Sequence, residues 1–253
     1  MFTTTLAKLA ESRGVRFNLG TSVTKINIDE EKNVVESVDF IKDKKLDTLE
    51  ATDILVAAGP WTPKMLPAVS LLTPRGHSVI VKPTRPLSPY ILFPSIQPAA
   101  NTTFEKLLSP DIYPRPADNL HEFDTVYASG PDDYDVDLPS GTDEVELVEK
   151  KCVDVLTAIG SVSQEMHDGE AVAKQACYKP QIRQHEETEE VGPMVGPVGV
   201  RGLWLATGHD EWGIQNAPGT GLVMSEMILE GKAHSADCTS LDPKHFLNSS
   251  TRL

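Results

Sequence analysis

Leu203-Trp-Leu-Ala-Thr-Gly-His-Asp-Glu-Trp-Gly-Ile-Gln-Asn-Ala-Pro-Gly-Thr-Gly-Leu222 passes from a short apolar run through a glycine-rich turn into an apolar periodic stretch. Leu203 to Ala206 has the length and character of a buried strand. Leu222, Val223, Met227 and Ile228 recur at helical spacing until Gly231 supplies a stop. Between them Gly208, Gly213, Gly219 and Gly221 remove Cβ atoms where a backbone must bend or approach a flat ligand closely. Unpaired N–H groups at the start of the following helix, expected near Ala217, favour negative charge. The stretch therefore reads as a cradle for a flat, anionic ligand.

Upstream, the pattern alternates between two kinds of segment. Phe2, Leu6 and Leu9 line one face of an opening helix that ends near Gly14. Val15 to Leu19 reads as a parallel strand, followed by a meander through Val23 to Ile28 and Val34 to Phe40. Asp53 to Ala57 reads as a buried strand, and Ala58-Gly-Pro-Trp61 turns away from its C-terminal end, where open α/β sheets bind ligands. Small residues there allow close approach, while Trp61 either packs over the site or plugs the surface. Proline-rich composition from Pro74 to Pro116 marks a change of organisation, with strands expected at Gly76 to Val81, Tyr90 to Phe93, Ile112 to Tyr113 and Thr125 to Gly130. A helix is expected from Asp143 to Gly160 with Cys152 on its apolar face, then a strand from Ala171 to Tyr178. The aspartates between Asp132 and Asp137 lack the glycine and terminal glutamate of a calcium loop and read as solvated.

Composition excludes several classes. The 253 residues carry a formal net charge of −14, which disfavours phosphate-backbone binding and attraction to anionic membranes. Three cysteines without a C-x-x-C pair suggest neither a disulfide framework nor a metal site. No secretory leader and no apolar run of membrane-spanning length is evident, so a cytoplasmic location without membrane insertion is expected.

Gly208 to Gly221, followed by Met224-Ser-Glu-Met-Ile-Leu-Glu-Gly231 and Leu241-Asp-Pro-Lys-His-Phe246, resembles the C-terminal block of the D-amino acid oxidase superfamily of FAD-dependent oxidoreductases, within its glycine oxidase-like fungal and plant branch. Ala57-Ala-Gly-Pro-Trp61, Gly76-His-Ser78, Ile112-Tyr-Pro-Arg-Pro116 and Gln175-Ala-Cys-Tyr178 continue the likeness in family order. The family's opening strand, G-x-G-x-x-G turn and helix have no counterpart, so the chain is expected to start inside the family fold.

The resemblance implies an α/β fold: an FAD-binding Rossmann-like domain of the glutathione-reductase type, incomplete at its N-terminus, with an inserted mixed or antiparallel substrate domain. The expected division is 1–72 and 181–238 for the FAD-binding parts, 73–180 for the substrate domain and 239–253 for a tail. It implies FAD as cofactor, oxidation of a C–N bond in a small amine or amino acid, and a flavoprotein with no resident metal. The opposing reading is a truncated, non-catalytic remnant serving as an interaction module or unstable alone. Cofactor contacts implied are Val23, Ala58, Gly59, Trp61, Gly208, His209, Trp212, Gly213, Ile214, Gly219 and Thr220, with Val23 otherwise a core residue. His209, Arg183 and Lys179 are the catalytic candidates: His209 as a hydrogen-bond donor near the flavin, the other two as carboxylate partners. Arg115 is a further cation that suits the surface equally well, and His77 falls where related oxidases approach substrate, although a lone histidine on a strand is commonly structural.

Overall fold

The computed structural model describes residues 2–97, 108–117, 123–182 and 192–247. Helix α1 (Phe2–Ser12) precedes an antiparallel meander of β1 (Thr21–Asp29), β2 (Val34–Lys42) and β3 (Lys45–Glu50). The hairpin between β2 and β3 turns on Asp43 and Lys44, both at positive φ, which matches the right-handed twist of its strands. Then come β4 (Ile54–Val56), α2 (Thr62–Met65), β5 (Leu71–Leu72), β6 (Arg75–Lys82), β7 (Asp111–Pro116) and β8 (Phe123–Ser129). The remainder is α3 (Glu149–Val162), α4 (Gln164–His167), β9 (Glu170–Tyr178), β10 (Gln181–Ile182), β11 (Met194–Pro197), β12 (Leu203–Thr207) and α5 (Gly213–Glu230).

Two sheets position the site. Strand β12 pairs in parallel with β4, Leu203 beside Ile54 and Leu205 beside Val56, and antiparallel with β11 on its other side. Strands far apart in the sequence thus share one sheet. The second sheet is antiparallel throughout, in the order β7-β8-β6-β9. Strand alternation sends Val79, Val81, Ile112, Val126 and Ala128 to one face, where Cys152, Val155 and Ile159 of α3 cover them. A separate core joins Val35, Val56, Leu66, Met194, Leu203 and Leu205. Val223 and Met224 of α5 pack with Val195 in a third cluster.

Several expectations are corrected. Val15 to Leu19 forms no strand; Val15, Phe17 and Leu19 are exposed, Leu19 by 80%. A parallel strand gains its ladder only from a neighbour, and β4 pairs with β12 alone among the described residues. Tyr90 to Phe93 contributes one isolated bridge, Leu92 to Ile112. Asp143 lies in a separate 3-10 turn, and α3 starts only at Glu149 and continues past Gly160 to Val162. Helix α5 begins at Gly213 rather than near Ala217, so Pro218, Gly219 and Gly221 are helical. Pro218 supplies no N–H for the carbonyl of Ile214, one turn earlier. Among the described residues no helix is long and apolar enough to cross a membrane, and no group of three or more His, Cys, Asp or Glu could hold a metal ion.

Candidate functional site

The C-terminal ends of β4 and β12 lie side by side and each runs into a turn, the geometry of a ligand site in a parallel sheet. Buried hydroxyls fasten the two turns. Thr62 Oγ1 donates to Gly59 O at 2.8 Å and lies 3.1 Å from Thr207 Oγ1, which reaches the same Gly59 carbonyl at 3.3 Å. Thr62 and Thr207 are fully buried, and neither was singled out from the sequence, because an isolated threonine carries no periodic signal.

A cleft of about 540 Å³ opens beside the first turn and brings Val23, Ala58 and Trp61 together. Val23 is 40% exposed and is not a core residue. Trp61 is anchored by a 2.8 Å bond from Nε1 to Pro139 O, and Lys64 Nζ donates to Ser140 O at 2.9 Å. The indole thus fixes the second wall of the cleft as well as lining it. Gly59 takes φ +53, a left-handed conformation, and no atom lies within 4 Å of where its Cβ would be.

The second turn is clamped from below. Gly208 has φ +80, and a Cβ there would meet Ile182 Cγ1 at 2.6 Å. The Asp210 N–H donates to Pro180 O at 3.0 Å, and Gln181 Nε2 donates to the Asp210 carboxylate at 2.9 Å. Lys179 Nζ sits 2.9 Å from Asp132 Oδ2 and 3.5 Å from Glu211 Oε2. Burial opposes its charge, but Asp132 first, then Glu211 and Asp210, outweigh that and hold its pKa above the ordinary lysine value. Lys179 therefore ties the antiparallel sheet to the turn. His209 Nε2 lies 2.9 Å from Thr220 Oγ1, spanning the turn and the second turn of α5, and burial lowers its pKa, which keeps the ring neutral at pH 7.

Beyond these clamps the surface is open. Trp212 and Ile214 are exposed, Ile214 by 83%, and nothing lies within 4 Å of a Cβ at Gly219 or Gly221. Glycine inside a helix costs about 1 kcal/mol relative to alanine, and no protein neighbour here demands it. Bare helix surface, exposed apolar side chains and the N–H groups at the start of α5 fit a flat, partly anionic group such as a flavin.

His77 belongs elsewhere. Its ring is buried and Nε2 accepts the Val148 N–H at 3.1 Å, just before α3. Burial, with Arg75 and Lys151 nearby, lowers its pKa. It faces the α3 side of the sheet and has a structural role. Arg115 is exposed on β7, and Arg183 lies outside the described residues.

Residues 1–227 match the family model described as DAO, FAD dependent oxidoreductase. The candidate oxidoreductase TDA3 of Saccharomyces cerevisiae is 34% identical over 81% of this chain and 37% of its own length. A D-amino acid dehydrogenase of Cereibacter sphaeroides is 26% identical over 97% of this chain and 49% of its own. Among solved structures, glycine oxidase from Geobacillus kaustophilus superposes with a TM-score of 0.71 at 21% identity, covering 98% of this chain and 57% of that one. The chain thus spans about half the length of the proteins it resembles.

Proposed function

Because the chain belongs to the DAO family of FAD-dependent oxidoreductases, we propose that it forms the flavin-ring side and the substrate side of an oxidoreductase acting on a C–N bond of a small amine or amino acid. The observation that carries the reading is the pair of clamped turns at the ends of β4 and β12, flanked by helix surface at Gly219 and Gly221 that no protein atom occupies. FAD, when bound, supplies a hydride acceptor for the carbon next to the substrate nitrogen. The protein's part is placement. The start of α5 faces negative charge, Ala58, Gly59 and the Val23 cleft serve the nucleotide, and Trp212, Gly213 and Ile214 serve the ring. His209, held by Thr220, keeps the turn in register with α5. In this reading 1–72 and 181–238 form the cofactor part, 73–180 the substrate part, and 239–253 a tail.

The test is reconstitution. The chain is purified with FAD, its visible spectrum recorded, and amines and amino acids screened anaerobically for bleaching of the band near 450 nm expected of an oxidised flavin. Retained flavin that one of these substrates bleaches supports the reading. Gly219→Glu, which places bulk and negative charge on the bare surface, is expected to weaken flavin retention without unfolding the chain. Flavin that no amine or amino acid reduces overturns it, as does the absence of flavin from a form extended by the family's opening strand, G-x-G-x-x-G turn and helix.

A further inference from the structure

The antiparallel sheet has two unlike faces, and α3 covers only one. On the other, the register sets Asp111 beside Ser129 and Tyr113 beside Tyr127. The Tyr113 ring lies between Phe93, at a centroid distance of 6.0 Å and nearly perpendicular, and Tyr127, at 6.1 Å. Aromatic faces are electron-rich and attract cations, most strongly where water is partly excluded. Asp111 stands one alternation away on the same face.

The charges around this face are unbalanced. Asp111 is half-buried, and its carboxylate has no hydrogen bond or ion pair with any described residue. Burial first, and then the like charge of Glu211, push its pKa above the usual carboxylate range. Lys179 also acts on Asp111, but its ammonium is already matched by Asp132 and Glu211. Arg115 lies on the same face four residues along the strand, about 13 Å away, and is exposed. A ligand entering between the sheet and the 208–212 turn thus meets Asp111, Asp132 and Glu211 against one described lysine. An amino acid's carboxylate would face repulsion there, and the unmatched cation on this face, Arg115, stands about 13 Å from Asp111.

We propose that the site takes a diamine, whose far ammonium is held by Asp111 and the Tyr113 and Tyr127 rings while its other nitrogen, neutral, adjoins the bond to be oxidised. This rests on the oxidoreductase reading above and names its substrate class. A second positive charge on the substrate supplies the counter-ion that Asp111 lacks, and the aromatic rings screen that pair from water.

The experiment is calorimetric titration of the full chain, with and without added FAD, using 1,4-diaminobutane, glycine and benzoate. The expected result is binding of the diamine in preference to both carboxylates. Asp111→Asn should weaken diamine binding at least about tenfold, the effect of losing a charged hydrogen-bond partner, with Asp111→Glu recovering part of it. Tyr113→Leu should weaken it less, and circular dichroism should show all three variants folded. Glycine or benzoate binding as tightly as the diamine, no diamine binding in either state, or an Asp111→Asn variant of unchanged affinity overturns the proposal. Flavin reduction by amino acids but not by diamines would retain the oxidoreductase reading while overturning this one. Failure of every compound to reduce bound flavin would overturn the parent reading, and diamine selectivity would still be read from the titrations.

Discussion

The four-stranded antiparallel sheet and the smaller, three-stranded β11-β12-β4 sheet differ in how completely the described chain closes them. In the first, every neighbouring pair in the order β7-β8-β6-β9 is antiparallel, and α3 lays Cys152, Val155 and Ile159 over one face. In the second, β4 is a parallel strand at an edge, with Leu55 42% exposed and Phe17 and Leu19 exposed in the irregular segment upstream. Antiparallel sheets can keep one face in water, whereas parallel strands are normally covered on both faces. Stability should therefore concentrate in the first region. The second, which carries the turns proposed to hold the cofactor, should be loose and responsive to ligand.

The sharpest way to break this contrast is a pair of truncations followed by urea unfolding. Ile159→Ala removes a fully buried side chain and is expected to cost about 2–5 kcal/mol. Leu55→Ala, already half in water, should cost about 1 kcal/mol or less. Equal losses would mean the two regions unfold with equal dependence on packing.

His77→Leu should come next, at about 1–3 kcal/mol, since the Val148 N–H loses its acceptor where α3 joins the sheet. His77→Gln, which offers an oxygen in place of Nε2, should recover part of that loss. A leucine variant as stable as the parent would show that the histidine does not fasten α3. Thr207→Val is expected to cost about 1 kcal/mol, and its clearer signature should be faster amide exchange at the Gly59 and Gly208 turns with no change under α3.

The smallest effect concerns pH. His77 and His209 both have pKa values lowered from 6.5, burial being the largest cause for each. The unfolded chain binds their protons more readily, so this contribution is complete above about pH 6.5 and declines as pH falls through the lowered folded values. The urea midpoint should drop on acidification, less steeply in His77→Gln. A midpoint that rose over the same range would reverse the assignment of both rings as neutral in the folded state.

Much of the fold was legible in the sequence. The alternation of Val79, Val81, Val126 and Ala128, with helical spacing at Cys152, Val155 and Ile159, identifies a sheet face and its cover because both periods depend only on local backbone geometry. The glycine pattern from Gly208 to Gly221 is read as a ligand cradle because removal of Cβ atoms is visible residue by residue, and in the structure no protein atom fills the space over Gly219 and Gly221. What the sequence did not disclose is non-local. Val15 to Leu19 has a strand's composition and no partner strand among the described residues, and composition cannot count neighbours. The helix start at Gly213 was hidden because glycine and proline read as turn formers, although tertiary context holds them in α5. The Thr62–Thr207 link, the matching of Lys179 by Asp132 and Glu211, and the isolation of Asp111 each join residues far apart in the chain. Their meaning is a charge or hydrogen-bond balance that exists only once the strands are side by side. Local periodicity thus marked the strands and helix around the Val79, Val126 and Ile159 core, whereas tertiary structure decided which apolar segments find a partner strand and which charged groups among the described residues lack a partner, because pairing depends on distance in space.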